Sequence, residues 1–176
     1  MSSRSTLLDY FDEIVVVDTE YRPAGDGTQE VRCVCALELG SGREHRLWLD
    51  APFPCPYPVN EGSLLVAHYA SAELATHDSL GWPRPANVLD TRTEFAAVTS
   101  GKRVGDQKLG LVDALKYFDL QHLHQYEKDD MRLLSIADRR NREYTVAERD
   151  ALLKYCWSDV DGAVRLLTAL EDWLVR

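Results

Sequence analysis

A short apolar run that leads into two carboxylates stands near the start of the chain: Glu13-Ile14-Val15-Val16-Val17-Asp18-Thr19-Glu20. Its β-branched residues are typical of a strand over 13–18, and we expect that strand to be buried on both faces. Residues two apart on a strand point to one side, so Asp18 and Glu20 can grip the same cation. An acidic pair after a buried strand is costly unless it faces solvent or a cation.

The segments around this run predict an α/β domain. Further strands are expected over 31–39, 44–49, 63–67 and 87–90, and the turn Gly40-Ser41-Gly42 makes the first two of these a hairpin. Helices are expected over 69–80, from a cap at Thr91 to about 98, and over 109–117, 125–137, 145–155 and 158–174. Three strands, then alternating helices and strands, then a helical tail are typical of a mixed sheet.

Length and charge exclude several classes of protein. The 176-residue chain is the size of one domain, and 29 acidic against 20 basic residues give a formal charge of −9. That balance argues against a broad basic surface for nucleic acid, but not against a nucleic-acid enzyme whose bound metal ions supply positive charge. Without a membrane-length apolar run or a signal-peptide stretch, we expect a soluble cytoplasmic protein with no membrane partner. The four cysteines form no zinc or disulfide pattern.

Two further segments carry candidate ligands. Glu73 follows the fourth strand and lies in the first turn of a helix, where an acid can also simply complement the helix dipole. Tyr155 and Asp159 are four residues apart and therefore share one helical face. A phenol beside a carboxylate suits a hydrolytic metal site, and the alternative is an ordinary helix-surface pair. Each segment alone is weak evidence.

Together the three segments resemble the DEDD family of 3′–5′ exonucleases, which has a ribonuclease H-like fold. The acid-x-acid strand, the acid opening a later helix and the final Tyr-x-x-x-Asp occur in the family's order, and the tyrosine marks its DEDDy branch. The stretches 111–118, 127–132 and 155–161 look most like proofreading domains of phage and bacterial family A DNA polymerases. The resemblance covers about residues 12–172. It implies a single exonuclease domain over 1–176, with a mixed five-stranded sheet, helices on both faces and a helical C-terminal part.

The resemblance also implies two divalent ions, Mg²⁺ or Mn²⁺, in an all-oxygen site. Asp18 would bridge both ions, and Glu73 would serve the second. Glu20 and Asp159 would complete the shell of the first ion, and Tyr155 would orient the attacking water. Such a pair of ions generates a hydroxide and stabilises the attacking and leaving oxygens at phosphorus.

Other residues beside the motifs are candidate substrate contacts: Thr19, Tyr21, His68, Lys128 and Arg132. Tyr21 or Trp157 would stack on a terminal base. Lys128 and Arg132 would share a helix face toward the scissile strand, and a solvated face with acid–base pairs is the alternative.

The function implied is hydrolysis of single-stranded DNA 3′ ends to nucleoside 5′-monophosphates, in replication proofreading or repair. The protein would come from a bacterium or a phage and would work alone or with a DNA polymerase domain or subunit. Two alternatives stay open, a ribonuclease D-like RNA exonuclease and a catalytically inert module that binds a nucleic-acid end. The second is motivated by two departures from the family pattern, in which Glu73 replaces an Asp and Tyr69 replaces an Asn.

Overall fold

The protein folds around one mixed five-stranded sheet. The computed structural model describes residues 6–100, 109–121, 131, 133–136 and 143–174. The strands are β1 (Glu13–Pro23), β2 (Gln29–Glu38), β3 (Glu44–Trp48), β4 (Ser63–Ala67) and β5 (Val88–Asp90), in the order β3-β2-β1-β4-β5. β1, β2 and β3 are antiparallel neighbours, whereas β4 runs parallel to both β1 and β5. The predicted mixed five-stranded sheet is confirmed.

Helices cover both faces of this sheet. A short 3₁₀ helix (Thr6–Asp9) precedes α1 (Ser71–Leu80), α2 (Thr91–Thr99), α3 (Leu111–Tyr117) and α4 (Val146–Leu174). On one face Val15 and Val17 pack with Trp82, and on the other Ile14 and Val16 pack against α4. This alternation is why the apolar run of β1 is buried on both sides. No helix in the described part of the chain combines the length and apolarity needed to cross a bilayer.

The thiols of the chain are reduced wherever the structure describes them. All four cysteines are free, and Cys33, Cys35 and Cys156 lie together in the core between the sheet and α4. Cys33 and Cys35 are two residues apart on β2, so their side chains lie on one face of the sheet.

Three sequence-based boundaries are wrong. β1 does not end at Asp18 but continues to Pro23, because β2 keeps pairing with it along that whole length. The two helices expected over 145–155 and 158–174 are one helix, α4, since no glycine or proline interrupts 156–158. The cap of α2 is Asp90, whose side chain accepts from the Arg92 N–H, and Thr91 is already helical and buried. Of the helix expected over 125–137 only 131 and 133–136 are described, and they are helical.

The sheet is open on one side just where the acidic residues of β1 lie. β4 pairs with β1 only from Glu13 to Val16, while β2 follows β1 to its end. Beyond Val16, therefore, β1 has a strand neighbour on one edge only. The chain leaving β4 turns into α1 at this level, and it brings Glu73 toward β1.

Acid will destabilise the fold through His77, which is buried between Tyr57 and Trp82. Its Nδ1 donates to the Pro83 carbonyl (2.7 Å) and its Nε2 accepts from the Tyr57 hydroxyl (3.0 Å), so the ring is neutral. Burial lowers the pKa of His77 from 6.5, and the unfolded chain therefore binds a proton that the native state does not. The contribution of His77 to the free energy of unfolding will therefore fall as the pH drops below about 6.5.

Urea denaturation at pH 7.5 and pH 5.5, of the unmodified protein and of His77→Gln, measures this effect. Glutamine does not titrate, so the variant will be less stable than the unmodified protein at pH 7.5, and this difference in stability will be smaller at pH 5.5. An equal difference at both pH values would show that His77 is not an acid-sensitive group.

Candidate catalytic site

β1 and α4 bring the first and last motifs together. Because side chains alternate along a strand, Asp18 and Glu20 share the face that Ile14 and Val16 present to α4. The helix touches the strand at this level, where the Cys156 thiol donates to the backbone oxygen of Asp18 (3.2 Å). The neighbouring residues of Cys156 on α4 therefore stand beside the two β1 carboxylates.

Tyr155 and Asp159 lie on the part of α4 that approaches β1. The Tyr155 hydroxyl donates a hydrogen bond to Asp159, as the four-residue spacing predicts. Burial, and then the negative charges of Asp159, Glu20 and Asp18, raise the pKa of Tyr155 far above 10.0. The phenol is therefore protonated at every physiological pH, and it feels the carboxylates of both motifs.

The start of α4 is set locally by its sequence. Thr145 and Glu148 form a reciprocal capping box, in which the Glu148 N–H donates to the Thr145 hydroxyl (3.2 Å) and the Thr145 N–H donates to the Glu148 carboxylate (2.8 Å). The capping box fixes the first turn of α4. From that start, the helical repeat places Cys156 and Val160 on the side of α4 that packs against the sheet.

Glu73 is more deeply buried than Asp18, Glu20 and Asp159, with 4% of its surface exposed. Its Oε1 accepts from the Thr19 hydroxyl (3.4 Å). Its Oε2 is buried and has no hydrogen-bond donor among the described residues. Burial, followed by the charges of Asp90 and Glu20, raises the pKa of Glu73 from 4.5 to about 8. Glu73 therefore has no positive partner among the described residues, and only one of its two buried oxygens accepts a hydrogen bond there.

Asp90 is a site residue that sequence reasoning missed. Its carboxylate accepts from the N–H groups of Tyr69 (2.9 Å) and Ala70 (3.1 Å), and also from that of Arg92 (2.9 Å). It thereby holds the turn from β4 into α1 and the first turn of α2 at once. An acid before Thr91-Arg92-Thr93-Glu94 is a recognisable N-cap signal, but nothing local indicates the second set of bonds.

The five predicted substrate contacts have different surroundings. Tyr21 is half-buried and feels Glu73, Tyr69, Glu20 and Asp18, which together with burial raise its pKa above 10.0. Thr19 is 7% exposed and faces α1, where its hydroxyl meets Glu73 and Thr76. His68 points inward, with Nδ1 at the Thr91 hydroxyl (3.1 Å) and Nε2 at the Leu109 carbonyl (3.0 Å). Lys128 and Arg132 lie outside the described residues.

Four carboxylates thus form what we call the carboxylate site: Asp18, Glu20, Glu73 and Asp159. Oxygen donors of this kind are what Mg²⁺ and Mn²⁺ prefer, and the buried Glu73 Oε2 has the environment of a ligand atom without its cation. As they stand, no three His, Cys, Asp or Glu side chains in the described ranges are gathered closely enough to hold an ion.

Comparison with known proteins places this fold. No family model matches the sequence, and no curated protein does. One solved structure, described as the apo form of a nuclease, superimposes with a TM-score of 0.65 at 17% identity, over 100% of this chain and 79% of that one. NrnC of Brucella melitensis gives 0.61 at 18% identity, over 94% and 76% of the two chains. RNase D of Trypanosoma brucei gives 0.63 at 16% identity, over 90% and 62%.

The chain has the fold of these nucleases. The predicted ribonuclease H-like architecture is therefore confirmed. None of these three structures is described as a polymerase proofreading domain, so the closeness to family A polymerases stays a prediction. A second structure of Brucella melitensis NrnC contains bound Mg²⁺.

Proposed function

We propose that the protein is a metal-dependent 3′–5′ exonuclease of single-stranded nucleic acid. One observation carries the proposal: Tyr155 lies beside Asp159 and feels the charges of Glu20 and Asp18. Glu73, from a third segment of the chain, feels the charge of Glu20 as well. Structures with this fold and with nuclease names support it.

The carboxylate site is where divalent ions would bind. Asp18, Glu20 and Asp159 would hold one ion, and Asp18 with Glu73 the second, Mg²⁺ or Mn²⁺ in either place. The ions, when bound, lower the pKa of water and stabilise negative charge on the phosphodiester oxygens. The Mg²⁺ bound in a structure of Brucella melitensis NrnC, which shares this fold, supports dependence on a divalent metal ion.

Tyr155 orients the attacking water in this proposal. Its hydroxyl acts through hydrogen bonds, and Asp159 fixes the direction of that hydroxyl. The attacking water gives up a proton to solvent and its oxygen bonds to phosphorus as the P–O3′ bond breaks, and the 3′ oxygen of the shortened strand takes up a proton from solvent. The product is a nucleoside 5′-monophosphate.

Two observations favour different substrates. The motif resemblance to proofreading domains favours single-stranded DNA, with a role in replication or repair beside a polymerase. The likeness to RNase D of Trypanosoma brucei favours RNA. The inert-module alternative rests on Glu73 and Tyr69, the two departures from the family pattern.

Degradation of labelled strands tests the proposal. A 5′-labelled DNA oligonucleotide and an RNA of the same sequence are incubated with Mg²⁺, Mn²⁺ or EDTA. We expect a ladder that shortens from the 3′ end, stops with EDTA and slows at least about a hundredfold in Asp18→Ala. Asp26→Ala is the matched control, because Asp26 is an exposed turn residue between β1 and β2.

Each alternative has its own outcome in this experiment. Faster degradation of the RNA than of the DNA would favour the ribonuclease D-like hypothesis over the DNA exonuclease hypothesis. Intact DNA and RNA with both metals, together with binding of either strand, would establish the inert module instead.

A further inference from the structure

Tyr69 has an unusual backbone for a bulky residue. Its φ of 81° lies in the left-handed region, which side chains of this size rarely adopt. Such outliers persist only where the surrounding structure over-determines them, and they concentrate at functional sites. The residue lies between β4 and α1, immediately before the helix that carries Glu73.

Hydrogen bonds on both sides hold this conformation. The Tyr69 and Ala70 N–H groups both donate to Asp90, which is itself fixed as the cap of α2. The Tyr69 carbonyl accepts from the Ala72 N–H (3.0 Å) as α1 begins. The strained turn is therefore built into the fold.

The turn places Tyr69 directly before the first turn of α1, which carries Glu73. The side chain is 49% exposed, although it is large and apolar. The Arg92 guanidinium lies 4.9 Å from its ring centroid, in a cation–π contact. An exposed aromatic ring and a cation thus stand beside the start of the helix that carries Glu73.

We propose that Tyr69 stacks on the 3′-terminal nucleobase of the substrate, with Arg92 behind the ring adding positive charge toward the strand. This inference rests on the proposed nuclease function and names how the site holds its substrate. Every base has a π-face, so stacking on an aromatic side chain is strong and tolerant of sequence. An asparagine at this position accepts the left-handed backbone but offers no face for stacking.

The test compares two substrates in two variants. Tyr69→Asn keeps the backbone conformation and removes the ring, whereas Tyr69→Phe keeps the ring. Each is assayed on an oligonucleotide with an ordinary 3′ end and on one whose 3′-terminal nucleotide lacks its base. The matched control is Tyr10→Asn, because Tyr10 is 70% exposed at the opposite end of β1.

We expect the unmodified protein, Tyr69→Phe and Tyr10→Asn to prefer the ordinary end by roughly tenfold to a hundredfold in kcat/KM. Tyr69→Asn will lose that preference through a higher KM for the ordinary end, and its rate on the abasic end will match that of the unmodified protein. An equal drop on both substrates would overturn the proposal, since it would show that Tyr69 only supports the fold.

Binding separates this inference from the proposed activity. Anisotropy of the two fluorescein-labelled oligonucleotides is measured in EDTA, where no strand is cut. A preference for the ordinary end that Tyr69→Asn abolishes supports stacking even if the protein proves to be inert. Equal affinity of the unmodified protein for the two ends would refute stacking even if the protein proves to be an exonuclease.

Discussion

Asp159→Asn will reduce the rate of 3′-end removal by at least about a hundredfold, whereas Asp161→Asn will leave it within about twofold of the unmodified protein. Asp159 accepts the Tyr155 hydrogen bond beside Glu20 and Asp18, so its charge belongs to the carboxylate site. Asp161 stands two residues further along the same helix, is exposed and pairs with Arg165 (2.8 Å). Exposed pairs of this kind contribute little to stability.

Single-turnover degradation of a 5′-labelled oligonucleotide with saturating Mg²⁺ measures both variants. Circular dichroism and the thermal midpoint serve as checks that α4 is intact in each. Because the two changes have the same chemistry on the same helix, a general effect on folding will alter both rates alike. Full activity of Asp159→Asn would show that Asp159 does not act in the site, and it would refute the assignment of Tyr155 and Asp159 as the third motif.

Glu73→Gln will make the metal-free protein more stable at alkaline pH and at the same time remove its activity. The pKa of Glu73 rises from 4.5 in the unfolded chain to about 8 in the native state. The native state therefore binds this proton more tightly, and its stabilising contribution is complete below pH 4.5 and is lost as the pH rises to about 8. Each pKa unit is worth about 1.4 kcal/mol, so the variant will gain roughly 2–5 kcal/mol at high pH.

Guanidinium denaturation in EDTA at pH 5.5 and pH 8.5 measures this gain. Glu61→Gln is the matched control, because Glu61 is an exposed acid of the same type. The gain of Glu73→Gln over the unmodified protein will be much larger at pH 8.5 than at pH 5.5, and the control will show none. An equal gain at both pH values would mean that Glu73 does not titrate between them.

Added Mg²⁺ will reverse the order of stability at pH 8.5. A cation that binds only the native state stabilises it in proportion to the logarithm of its concentration above Kd. The unmodified protein will therefore become more stable with increasing Mg²⁺, while Glu73→Gln, which lacks one ligand, will gain much less. If both proteins respond alike, Glu73 is not a ligand.

Local patterns predicted the parts of the fold that depend on neighbours in sequence. The strand over 63–67 was predicted at its observed bounds, since it is a short apolar run between turn residues. The start of the helix expected from 145 was also predicted, because the two partners of the Thr145–Glu148 capping box lie within one turn. The order of the acidic motifs indicated which side chains to expect at one site, and the structure places Tyr155 among those carboxylates.

Features that depend on contacts between distant segments were missed. β1 continues past Asp18 because β2 pairs with it there. The length over which two strands pair cannot be predicted from the sequence of either strand alone. The left-handed turn at Tyr69 exists because Asp90, on another strand, accepts two of its N–H groups. The raised pKa of Glu73 likewise follows from burial under other elements.

The sequence by itself determined the element types, the mixed sheet and the identity of the candidate ligands, since periodicity, caps and residue chemistry are local properties. Only the tertiary structure decided how those ligands meet. The early end of β1–β4 pairing leaves room for Glu73 beside Thr19, and Cys156 holds α4 against Asp18. Burial and charge at that meeting point set the protonation of Glu73 and Tyr155, because both depend on every element packed around them.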